Sequence, residues 1–195
     1  METKEVELTP EQRETEYQHR IDKFFARLTD PFDPADIEWR VQMAGKTKSG
    51  NGMYAILVPY VTNRAIQQRL DDVCTPVGWR NEYIYPTEKS VICGISILCP
   101  GEVPSTKFWL TKWDGAEETN IEAVKGGLSG AMKRAAIQWG IGRYLYKLES
   151  AIVTPQLDKP QAMDGWIMTK IKLEGRDQRV YYKRPTLPAF ARPKA

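Results

Sequence analysis

The chain has 195 residues, 42% apolar and 27% charged, with a net charge of +3. That composition suits one cored globular domain with tails and gives no stretch near the roughly 18 continuous apolar residues of a membrane span. Met1–Glu7 is acidic and lacks the apolar region of a signal peptide, so a cytoplasmic protein is expected. Cys74, Cys93 and Cys99 are odd in number and have no metal-ligand spacing, which predicts free buried thiols. The charge is uneven along the chain. Residues 1–39 hold five basic and eleven acidic side chains, a net of −6, whereas residues 170–195 hold eight and two, a net of +6. Ends of opposite sign can steer head-to-tail association of identical chains.

Thr9-Pro10-Glu11-Gln12 opens a helix with a Thr cap, Pro at the first position and Gln closing the box. Tyr17, Ile21, Phe24 and Leu28 line one face, and Asp30-Pro31 ends it. His19, the only histidine, stands among charged neighbours of this helix and reads as solvated. Apolar and polar residues alternate from Ile37 to Met43, a half-buried strand. Lys46 to Gly52 is a basic hairpin tip carrying Lys46 and Lys48, and Met53–Val61 is the returning strand. A short helix from Thr62 keeps Ile66, Leu70 and Val73 inside, with Arg64 and Arg69 outside. Trp79–Tyr85, Ser90–Leu98 and Thr106–Trp113 read as three antiparallel strands, the last closed by an Asp114-Gly115 turn signal.

One long helix is predicted from Glu122 to Leu145, with Thr119 and Glu122 as its capping pair. Ile121, Val124, Leu128, Ala131, Ala135, Trp139, Gly142 and Tyr146 make its apolar stripe. Lys125, Lys133, Arg134, Arg143 and Lys147 lie beside the stripe, with no acidic residue between Glu122 and Glu149. Gly126, Gly127, Ser129 and Gly130 lower helix propensity, which suits a place where another backbone comes close. Val153–Asp164 reads as a Pro-rich connector and Trp166–Lys183 as a last, basic hairpin around Glu174-Gly175-Arg176-Asp177. Pro185–Ala195 reads as a tail that is disordered or docked on a neighbour. The layout is α+β, with one domain over residues 1–150 and a connector, hairpin and tail over 151–195.

Three catalytic readings are set against these residues. Gly45-Lys46-Thr47 mimics the end of a P-loop, but the glycine that the pattern needs is replaced by Arg40, so a hairpin turn is expected there. Asp114, Glu117 and Glu118 are clustered acids of the kind a metal-dependent nuclease uses. They also stand at a helix start, where acids are favoured by the helix dipole. Cysteine or serine catalysis lacks a histidine in a fitting element. The remaining signal is the interleaving of Lys107, Lys112, Lys133, Arg134, Arg143, Lys170 and Lys183 with tryptophan and tyrosine. Cations neutralise phosphates and aromatic faces hold unstacked bases.

Several runs carry a family resemblance: Ile37-Glu-Trp-Arg-Val, Val61-Thr-Asn-Arg-Ala-Ile-Gln-Gln-Arg-Leu, Gly78-Trp-Arg-Asn-Glu-Tyr, Lys112-Trp-Asp-Gly and Gly127 to Leu145. Over about residues 36–149 the chain resembles the single-strand annealing proteins of the Rad52 type, in their bacterial and phage, DdrA-like branch. The resemblance implies a β-β-β-α core, closed rings, and single-stranded DNA held along a basic groove. It implies annealing in DNA-damage repair and recombination without ATP, metal or any other cofactor, and no enzymatic turnover. Carried over by position, Lys133, Arg134 and Arg64 are phosphate contacts; the basic residues read above without the resemblance, Lys125, Lys112, Lys107, Arg143, Lys46 and Lys48, are further candidates. Where eukaryotic members carry another Arg and a hairpin lysine, this chain has Ile137 and Pro100-Gly101, which argues against their second, duplex-binding site. The alternatives are an end-protecting coat that does not anneal, and the nuclease built on Asp114, Glu117 and Glu118. The expected partners are single-stranded DNA and further copies of the chain, with no membrane.

Overall fold

The structure, a computed structural model, describes residues 9–50, 52–87, 90–103, 105–117, 123–173 and 175–193, without the side chains of residues 117 and 123–125. The Thr119–Glu122 cap, Ile121, Glu118, Glu174 and the side chain of Val124 therefore lie outside the described residues. The chain forms two compact units. One joins the residues up to Asp30 with Asn63–Arg143; the other joins Pro31–Thr62 with the residues from Tyr144 on.

In the first unit, α1 spans Pro10–Thr29 and begins as its sequence dictates: Thr9 Oγ1 accepts from the Gln12 N–H at 3.2 Å, and Gln12 Oε1 accepts from the Thr9 N–H at 2.8 Å. α2 spans Asn63–Cys74 and buries Ala65, Ile66 and Leu70. Arg69, expected on its solvent side, is half-buried instead. Its Nη1 donates to the carbonyls of Arg27, Leu28 and Asp30 at 3.1, 3.3 and 2.6 Å. The last carbonyls of a helix have no partner within it and carry partial negative charge, so a guanidinium fork docks there.

β3 (Trp79–Thr87), β4 (Ser90–Pro100) and β5 (Lys107–Glu117) form an antiparallel sheet in that order. Val91, Cys93, Ile95, Ile97 and Cys99 alternate along β4 and are fully buried. α3, Ala123–Gln138, packs on β4 and β5. The Asp114-Gly115 pair does not turn the chain: β5 runs through it, with Gly115 opposite Ile92, because the backbone keeps its ladder partner there. All three thiols are free; burial pushes those of Cys74 and Cys93 up to about 11, so they stay protonated.

The predicted long helix stops at Gln138 rather than Leu145. Gly140 has φ +88°, its N–H donates to the Ile137 carbonyl, and the Ile141 N–H donates to the Ala136 carbonyl. This is a Schellman cap, and a side chain is excluded there twice, by the left-handed φ and by Thr29 Cγ2, 2.5 Å from where a Cβ would stand. Arg143–Lys147 follows as a short 3-10 turn. Ala131, Ala135 and Trp139 are buried as expected, joined by Met132 and Ala136. Tyr146, beyond the helix end, is 74% exposed rather than part of the stripe. Gly130 serves a close approach: a Cβ there would lie 3.3 Å from that of Ala116 on β5.

In the second unit, β1 (Ile37–Lys46) and β2 (Met53–Val61) form the expected hairpin. Thr47–Gly50 is its turn, with the Thr47 N–H on the Gly52 carbonyl, so the Gly-Lys-Thr run is a strand end and turn. The register shifts between Val41 and Met43, and the alternation breaks there: Met43 is 55% exposed instead of inside. The segment read as connector contributes a strand, β6 (Ala151–Val153), on the far edge of β2. β7 (Trp166–Leu173) and β8 (Arg176–Lys183) pair as expected, and Tyr182 Oη donates to the Trp39 carbonyl at 3.0 Å. The C-terminal stretch through Pro193 buries Leu187 and Ala191. The fold is α+β with antiparallel sheets and three α-helices among the described residues. None of those helices is long and apolar enough to cross a membrane.

Candidate nucleic-acid interface

The cations of the first unit converge on one strand and one helix. Alternation along β5 turns Lys112 and Asp114 toward α3, and the helix brings Arg134 and Gln138, one turn apart, over them. Lys112 Nζ donates to the Gln138 carbonyl at 3.0 Å and stands 4.7 Å from the centre of the Trp139 ring. Arg143 reaches back over the helix end: its Nε and Nη2 donate to the Ile137 carbonyl at 2.9 and 2.6 Å, and Nη2 to the Gln138 carbonyl at 2.9 Å. Arg143 and Lys112 thus meet at the negative end of the α3 dipole, which holds them together against their mutual repulsion.

Arg134 is not the uncompensated cation that its local sequence suggests. Its Nε donates to Asp114 Oδ1 at 2.9 Å, while Gln138 Nε2 donates to Asp114 Oδ2 at 2.9 Å and the Gly115 N–H to Oδ1 at 2.8 Å. Burial pulls the Asp114 carboxyl upward, but the hydrogen bonds from Gln138, Gly115 and Arg134 outweigh it and hold the group below its ordinary value. The carboxylate therefore stays charged to low pH, and its tie to Arg134 is lost only as pH falls through that lowered value. The Arg134 side chain is still 56% exposed against 18% for Asp114, so the guanidinium keeps donors facing solvent.

Lys112, Arg134 and Arg143 are therefore brought together around Gln138, three cations to one carboxylate. Lys133, adjacent to Arg134, is half-buried on the same helix, and the Lys125 side chain lies outside the described residues. Arg64 is exposed in the first turn of α2. Lys107 belongs to the opposite face of β5 from Lys112. Lys46 and Lys48 are exposed at the β1–β2 turn of the second unit. The sequence reading missed the anchors Asp114 and Gln138. The one available signal was the Lys112-Trp113-Asp114 run, whose acid was read as a turn former and as a nuclease candidate rather than as a partner of Arg134.

Of the carboxylates offered for a nuclease, Asp114 is engaged by Arg134, Gln138 and Gly115, whereas the Glu117 side chain and Glu118 lie outside the described residues. Among the described residues no three His, Cys, Asp or Glu side chains group as a metal site.

The family described as "Rad52/22 family double-strand break repair protein" matches residues 20–164. This is wider than the stretch read from motifs, and takes in half of α1 and all of β6. The chain is 34% identical over 129 residues to the single-stranded DNA-binding protein DdrA of Deinococcus radiodurans, which covers 63% of this chain and 54% of that protein. It is 30% identical over 175 residues to the DdrA of Deinococcus deserti, covering 86% and 69%. The chain spans about half the length of the first of these relatives. With a family match over well more than half of its residues and DdrA among its relatives, the chain belongs to the Rad52/22 family.

Proposed function

We propose that this chain binds single-stranded DNA by its backbone in a basic groove and anneals complementary strands in repair and recombination. It does so in the cytoplasm, without ATP, metal or enzymatic turnover. The relatives named as single-stranded DNA-binding proteins support the partner, and the family description supports the setting in repair. The observation that carries the reading is the group of cations around Gln138, with Lys133 beside it on the helix; Arg64, Lys125, Lys46 and Lys48 are proposed as further phosphate contacts. An annealing protein must neutralise phosphates and leave base edges free for the second strand. Residues 1–150 are assigned the DNA-holding function, and residues 151–195 complete the second unit.

Mixing two labelled complementary strands in EDTA without nucleotide tests this. Duplex formation should be faster with the protein than without it. Binding without acceleration would favour the end-protecting coat. A strict need for ATP or Mg²⁺ would overturn the mechanism, and Mg²⁺-dependent cleavage would restore the nuclease.

A homo-oligomer, closed as a ring, is proposed as the working form. β5 is an edge strand whose α3-side residues Phe108 and Leu110 are 45% and 39% exposed, an apolar edge of the kind that pairs with another chain. The −6 and +6 ends add a head-to-tail bias. Since Leu187 and Ala191 are buried in their own chain, the tail no longer supports docking on a neighbour. Light scattering at micromolar concentration and low salt should give one discrete multiple of 22.3 kDa, and high salt should weaken it. A monomer under those conditions would refute the ring.

A further inference from the structure

We propose that the face of the β3–β4–β5 sheet turned away from α3 is a base-stacking platform for single-stranded DNA, with Trp109 and Trp113 as its stacking surfaces and Lys107 and Arg80 as its phosphate contacts. This rests on the single-stranded DNA reading above, and adds to it a site that holds bases on the side of the sheet opposite the backbone-holding cations.

The β5 alternation puts Lys107, Trp109, Thr111 and Trp113 on this face, and the register sets Trp109 against Leu98, Thr111 against Ser96 and Trp113 against Gly94. The two indoles are 45% and 41% exposed. Trp113 lies over Gly94: a Cβ there would be 2.7 Å from each of three atoms of the six-membered ring. Such equal distances mean that the ring rests on the glycine by its flat side, with its other π-face turned outward. Arg80, from β3, places its guanidinium 5.0 Å from the centre of the Trp109 ring. Its Nε also meets Glu82 Oε1 at 3.5 Å, a pair more than half exposed at both ends and weak enough to yield to a phosphate.

Four residues of strand separate the indoles by about 13 Å, the rise of about four stacked nucleotides. Between them Ser96 and Thr111 share a hydroxyl hydrogen bond of 2.8 Å, so the floor is polar there. Stacking occupies the flat faces of bases and leaves their pairing edges open, as annealing requires. A contact with another copy of the chain would call for a face depleted of charge at its centre, whereas this one has Arg80 and Glu82 against its tryptophans.

The test compares oligo(dT) with an abasic phosphodiester chain of the same length, at fixed salt. Trp109→Leu and Trp113→Leu should each weaken dT binding roughly tenfold and leave abasic binding unchanged, and Trp→Phe at either position should recover most of the loss. Lys133→Ala with Arg134→Ala should weaken both ligands alike. Trp109 covers no glycine, so its variant carries the test where Trp113→Leu does not fold. Unchanged dT affinity in Trp109→Leu, equal losses on both ligands, or a change in particle size together with the loss would overturn the platform, the last by making the face a contact between copies. Wild-type protein that binds neither ligand would overturn the single-stranded DNA reading itself.

Discussion

Replacing Trp139 by alanine is expected to lower folding stability by about 3–5 kcal/mol, the largest single-residue effect in the first unit. Trp139 is 2% exposed, its Nε1 donates to the Ile95 carbonyl at 3.0 Å, and its ring stacks on Phe25 with centroids 6.3 Å apart. Truncation opens a ring-sized cavity and removes the donor that a buried carbonyl uses. Domains of this kind are stable by only about 5–15 kcal/mol, so the variant should be unfolded in a substantial fraction or at modest urea. Trp139→Phe keeps most of the volume and loses the hydrogen bond, for roughly 1–2 kcal/mol. Urea unfolding of both variants checks the ranking. A loss below about 1 kcal/mol for alanine would show that the indole is not the centre of this core. The same residue supports the site, because its ring holds Lys112 from below and its position ends α3 where Arg143 docks.

Lys133→Ala together with Arg134→Ala should weaken single-stranded DNA binding by roughly one to two orders of magnitude at low salt. It should also flatten the slope of log K against log salt by about 0.7 for each phosphate contact removed. The two residues need not contribute equally. Arg134 is already held by Asp114, so a phosphate must share or displace a carboxylate whose hydrogen bonds hold it below its ordinary value. The compensation is preorganisation: the guanidinium has a fixed place before DNA arrives. Asp114→Asn keeps the Gln138 and Gly115 partners within reach while removing the charge, which separates the two effects. Titrations of both variants at several salt concentrations give the slopes directly. A folded double variant with unchanged affinity and slope would remove these residues from the interface.

Local order was legible in the sequence. The Thr9–Gln12 box places the start of α1, alternation places β4 and its buried face, and the i, i+4 steps of Ala131, Ala135 and Trp139 place the inner face of α3. These signals work because each depends on residues a turn or a pleat apart. The Lys133-Arg134 pair was legible for the same reason, and so was the family through it. The end of α3 was a local signal outweighed by a longer apolar pattern: Gly140 marked the cap, while Gly142 and Tyr146 continued the spacing.

What the tertiary structure alone decided is which element faces which. Asp114 neutralises a cation twenty positions away, Arg69 caps a helix forty residues upstream, and Ala151–Val153 becomes a strand only because β2 offers it an edge. A periodic pattern tells a side chain which way to point but not what it will meet. Charge balance at a site is set by those meetings, so the net character of the α3 surface was fixed by packing and not by its local sequence.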